Sequence, residues 1–85
     1  MTAPFVKTNT PDLAAIDHAL AHVRAEILRS IDKHGSPFHS AHEGFAILDE
    51  ERDELWDEVK ANDQFRAREE AIQVAAMATR FFIEC

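Results

Sequence analysis

The chain has 85 residues, 46% of them hydrophobic, with two Gly, three Pro, no Tyr and a formal charge of −7. That length fits one small domain, and the composition argues against both a disordered tail and a turn-rich all-β domain. The acidic balance and the absence of any Lys/Arg cluster disfavour a nucleic-acid binder, which needs a basic face to displace counterions from phosphates. A chain this short buries a modest share of its surface, so a homo-oligomer is expected. The single cysteine, Cys85, has no partner for an intrachain disulfide, Met1 to Asp12 lacks an apolar export core, and no stretch reaches the roughly 18 apolar residues of a membrane span. A soluble, cytoplasmic protein is the expectation.

Residues 1–9 read as a flexible lead-in and 10–85 as a single all-α domain. In the first predicted helix Thr10 is the expected N-cap, Pro11 suits the first turn and Asp12 complements the dipole. Leu13, Ile16, Leu20, Val23, Ile27 and Ile31 recur at three- and four-residue steps, which predicts one apolar stripe ending near His34, with Gly35 as the stop. His18, His22 and Glu26 also step by four, away from that stripe, and are expected at the surface. The metalloprotease pattern of two histidines around a glutamate is absent from them.

Gly35 to Ser40 is short enough to make the second helix an antiparallel neighbour of the first. His34, His39 and His42 cluster around this connection, where capping or hydrogen bonding is expected of them. Ser40-Ala41-His42-Glu43 fits a capping box, with Glu43 reaching back to the Ser40 amide. Helix two then carries Phe45, Leu48, Leu55 and Val59 on its apolar side and ends near Asn62. Asn62 or Asp63 can cap helix three. There Ala71, Ile72, Val74, Ala75, Ala76, Ala78, Phe81 and Phe82 cover more than half the circumference. So apolar a helix is expected to be covered on two sides, by its own subunit and by a second copy. The predicted architecture is a small antiparallel bundle of three main helices, completed by oligomerisation.

The chemistry is concentrated between Asp49 and Glu58, in the run DEERDELWDE. Glu51, Glu54 and Glu58 share one helical stripe, since successive residues turn by about 100°. Apolar Ile47, Leu48, Leu55 and Val59 lie on or beside that stripe, so the carboxylates line the edge of a buried face, where unpaired negative charge is costly and a cation is expected. Helix three offers a second pair at the same spacing, Glu70-x-x-Gln73. Inward carboxylates from facing helices build metal centres in bundles, and oxygen-only ligands suit Mg²⁺ or Mn²⁺ over Zn²⁺.

The run Ile47-Leu48-Asp49-Glu50-Glu51-Arg52-Asp53-Glu54-Leu55, with Arg68-Glu69-Glu70-Ala71-Ile72-Gln73-Val74, resembles the MazG-like all-α nucleoside triphosphate pyrophosphohydrolases. Their mark is an E-x-x-E pair on one helix and an E-x-x-D pair on the next. The resemblance covers about Phe45 to Phe82. It implies Glu51, Glu54 and Glu70 as magnesium ligands, and cleavage of (d)NTPs between the α and β phosphates by a homodimer or homotetramer. One position departs: Gln73 stands where the family has Asp, and its amide oxygen can coordinate but brings no charge and cannot act as a base. Glu51 and Glu54 are the catalytic candidates; Arg66 and Arg80 are candidates for phosphate contacts, Glu58 for assisting the site and Trp56 for stacking on a base. The rival expectation is a non-catalytic helical module that binds nucleotide or a protein partner, with Gln73 marking lost chemistry.

Overall fold

The computed structural model describes residues 12–85, and among these three helices account for all regular structure: α1 (Leu13–His34), α2 (Ala41–Lys60) and α3 (Gln64–Glu84). The lead-in at 1–9 and the expected capping by Thr10 and Pro11 lie outside the described residues. The N-cap of α1 is Asp12, whose Oδ1 accepts from the Ala15 amide at 3.0 Å. At the other end Gly35 adopts φ 78°, a region that favours glycine, and its N–H reaches the Ile31 carbonyl at 2.7 Å.

At the start of α2 the Ser40 Oγ accepts from the Glu43 amide at 3.1 Å, as a capping box requires. The return contact differs from expectation by one residue. Glu43 accepts from the His39 amide at 2.6 Å and pairs with the His39 ring at 3.0 Å, and these two contacts hold its carboxyl below the usual range. α2 closes at Lys60. Asn62, at φ 58°, donates to Val59 while Asp63 donates to Glu58, the paired reverse bonds of a Schellman stop. Asp63, rather than Asn62, then caps α3 by accepting from the Arg66 amide at 3.0 Å.

α3 is the middle of the bundle. Both α1 and α2 pack on it, whereas no Cα of α1 comes within 8 Å of a Cα of α2. α1 and α2 thus each cover part of α3, while Phe65, Phe82 and Ile83 on it stay exposed. The core is small: Val23, Phe38, Ala76 and Met77 are buried, with Ile27, Ile47, Leu48, Ile72 and Ala75 packed against them. Gly44 permits the close approach of α2 to α3, because a Cβ there would stand 3.0 Å from both Phe38 and Phe81 and 3.1 Å from the Cys85 sulfur. The apolar stripes are longer than this core. Leu13, Ile16 and Leu20 on α1 and Phe45 and Val59 on α2 are exposed, as are Trp56, Phe65, Phe82 and Ile83.

The C-terminal end of α3 is tied to the end of α1 by one side chain. Arg80 is fully buried: its Nε and Nη2 donate to Glu84 at 2.7 and 2.9 Å, Nη1 to Ser30 Oγ at 3.2 Å and Nη2 to the Gly35 carbonyl at 2.8 Å. Its guanidinium stands 4.0 Å from the centre of the Phe38 ring, and Glu84 also accepts from the Phe38 amide at 2.8 Å. A buried charge is tolerated when paired and hydrogen-bonded in this way, and the Arg80 contacts hold the Glu84 carboxyl below its ordinary range. No helix among the described residues is long and apolar enough to cross a membrane.

Candidate metal centre

Because α1 and α2 meet α3 without meeting each other, a groove runs above α3, with a cavity of about 400 Å³. Glu70, Gln73 and Met77 come from α3, Glu50, Glu51 and Glu54 from α2, and Glu26, Arg29, Ser30, Lys33 and His34 from α1. Glu51 and Glu54 are one helical turn apart, and the α2–α3 packing sets both against Glu70.

Glu51, Glu54 and Glu70 each offer one oxygen within 4.8 Å of the other two. A hard cation binds oxygens about 2.0–2.6 Å away, so opposed ligands stand about 4–5 Å apart and this cluster has the span of one ion. The electrostatics are those of carboxylates lacking a counter-charge. Burial, then the negative charge of Glu54, then that of Glu70, push the Glu51 carboxyl up to about 7. Glu70 is raised by burial and then by Glu54. Its Oε2 is buried with no hydrogen-bond partner, and a polar atom in that position calls for an ion or a water. All-oxygen donors, three of them anionic, fit Mg²⁺ or Mn²⁺ by chemistry and by span.

Neither a protein-family model nor a curated protein nor a solved structure matches this chain. The likeness to the MazG-like pattern therefore rests on the two motifs themselves.

The structure sorts the remaining expected site residues. Gln73 lines the groove on the same helix as Glu70. Arg80 cannot serve as a phosphate contact: the whole guanidinium is enclosed and committed to Glu84, Ser30, Gly35 and Phe38. Arg66 stands outside the groove, 3.7 Å from Asp63, so an ordinary ion pair between Arg66 and Glu70 is not what neutralises Glu70. Trp56 is 54% exposed, lies outside the groove and has the Lys60 ammonium 5.8 Å from its ring centre. Glu58 is half-buried and does not line the groove, though its charge adds to the rise at Glu70.

On α1, His18 and His22 form an exposed pair with Nε2 atoms 3.3 Å apart. Glu26 does not join them on the surface. It is buried, takes two donors from Arg29 and faces the groove. A signal for this was present: Glu26 is three residues after Val23, which puts it on the edge of the apolar stripe. The α1 contributions from Arg29, Ser30, Lys33 and His34 have no such local mark, since they depend on which side of α1 meets α3.

Proposed function

We propose that the groove binds Mg²⁺ and hydrolyses nucleoside triphosphates to a monophosphate and pyrophosphate. The observation that carries this reading is the convergence of one oxygen each from Glu51, Glu54 and Glu70 within the span of a single ion, beside a buried Glu70 Oε2 that has no hydrogen-bond partner. Bound Mg²⁺, or Mn²⁺ in its place, would supply charge for the phosphate oxygens and a more acidic water. Glu51, Glu54 and Glu70 would hold the ion, and the Gln73 amide oxygen on the same groove wall would be available as a neutral further donor. A carboxylate of the α2 pair takes the proton of the attacking water as its oxygen bonds to the α-phosphorus; the bond to the bridging oxygen breaks, and pyrophosphate leaves with the electron pair. The cavity of about 400 Å³ is in the range of ligand sites.

The same reading takes the bundle as antiparallel, given its short connections, and the protein as a cytoplasmic homodimer or homotetramer in which a second copy covers part of the exposed apolar surface. The test is pyrophosphate release from a panel of dNTPs and NTPs with Mg²⁺ or Mn²⁺, with Glu51→Ala as control. Turnover surviving in Glu51→Ala removes the site assignment. Gln73 favours a second reading, a binding module that keeps the metal and has lost turnover. A jump in pyrophosphate release on Gln73→Asp supports a weakened enzyme, whereas metal and nucleotide binding without turnover in either form supports the module.

A further inference from the structure

With Arg80 enclosed and Arg66 outside the groove, α2 and α3 offer no cation to the phosphates of the proposed substrate. α1 does. The groove's two cationic side chains, Arg29 and Lys33, both come from α1, which also contributes the carboxylate of Glu26, whereas Glu50, Glu51, Glu54 and Glu70 line it from α2 and α3. We propose that Arg29 and Lys33 are the phosphate-binding wall of this groove and hold the pyrophosphate portion of a metal-bound nucleoside triphosphate. This assignment rests on the reading of the groove as a nucleotide site.

Five carboxylates line the groove, those of Glu26, Glu50, Glu51, Glu54 and Glu70. A polyphosphate therefore needs positive charge beyond one divalent ion to enter. Arg29 and Lys33 are four residues apart on one helical face, with Cβ atoms about 5–6 Å from each other, which lets them serve neighbouring phosphates. Arg29 gives its Nε and one Nη2 proton to Glu26, and the rest of its five N–H donors remain for a ligand. Lys33 makes no ion pair among the described residues.

The wall is held in place from behind. Arg80 bonds to Ser30 and to Gly35 on either side of Lys33, so the residue removed from the phosphate role fixes the helix end that takes it over. Lys33 and His34 also sit in the last turn of α1, where cations offset the helix dipole. That role does not account for Arg29, which lies before that turn and still lines the groove.

The experiment is calorimetric titration of Mg²⁺ alone, and of inorganic pyrophosphate with Mg²⁺ present, into wild type, Lys33→Ala, Arg29→Ala and the double variant. A companion Glu26→Gln/Arg29→Ala variant avoids stranding the buried Glu26 charge. The expected result is Mg²⁺ affinity within about twofold of wild type, with pyrophosphate binding weakened about tenfold by each single change and about a hundredfold by the double. Wild-type pyrophosphate affinity in Lys33→Ala and in both Arg29 variants, with binding abolished by Glu70→Gln, overturns the α1 assignment and leaves the metal site standing. A wild-type protein that binds neither Mg²⁺ nor pyrophosphate overturns the proposed function and this inference together.

Discussion

α3 carries a fully buried Arg80 near one end and a half-buried Glu70 nearer the other, and the two are settled in opposite ways. Arg80 meets a carboxylate, a hydroxyl, a carbonyl and an aromatic face, with every nitrogen donating. Ten residues earlier, Glu70 meets Glu51 and Glu54, and one of its buried oxygens meets nothing. The first arrangement lowers the pKa of its carboxyl, Glu84, and the second raises those of Glu51 and Glu70. Both regions withdraw ionisable groups from water, Arg80 fully and Glu51 and Glu70 in part while Glu54 stays exposed, so burial by itself does not tell structure from function. What separates them is whether the charge is answered from within the chain.

The comparison is broken most severely at Arg80. Arg80→Ala should destabilise the fold by about 3–5 kcal/mol, because Glu84 is left as an uncompensated buried charge. Chemical denaturation reads this, and pairing Arg80→Met with Glu84→Leu should recover much of the loss; an exposed, mobile Arg80 would show no such coupling. At the other end the sign reverses. Glu70→Gln relieves like-charge crowding and should stabilise the metal-free protein by about 1 kcal/mol, a Tm rise of about 4–8 °C, while weakening Mg²⁺ binding.

Proton linkage sharpens the same contrast. The folded-state pKa of Glu51 is raised from 4.5 to about 7. The stability linked to its protonation is complete below about 4.5 and is lost as pH rises through about 7. Glu43 and Glu84 are lowered, so their contribution is present above 4.5 and is lost as pH falls through their depressed values. The metal-free protein should therefore melt at a lower temperature at pH 8 than at pH 5.5. Saturating Mg²⁺ should flatten or invert that slope, and a metal-free Tm that climbs steadily to pH 8 would contradict the raised Glu51. The smallest effect belongs to Arg66. Its ion pair with Asp63 is exposed, so Arg66→Ala should change stability by less than about 0.5 kcal/mol and leave pyrophosphate binding as it was.

The helices were legible because period and punctuation are local. Val23, Ile27 and Ile31, the Ser40–Glu43 cap, Gly35 and Asp63 act through neighbours within one or two turns, and those interactions survive translation into three dimensions with shifts of a residue or so. The Glu51–Glu54 and Glu70–Gln73 pairs were legible for the same reason, since spacing along one helix fixes a shared face. Arg80 was misread because its polar neighbours in sequence say nothing of Ser30, Gly35 and Phe38, which lie across the fold. Leu13, Ile16 and Leu20 continue an apolar stripe past the point where the chain covers it, which periodicity alone does not register.

What the sequence determined by itself was therefore three amphipathic helices and two short acidic motifs, because hydrogen bonding and side-chain periodicity along a helix are set by residues three and four apart. The packing of α1 and α2 on α3 decided the rest. It faced three carboxylates toward one another, turned Arg29 and Lys33 into their groove and enclosed Arg80, because the charge a buried group meets depends on contacts between residues far apart in the chain.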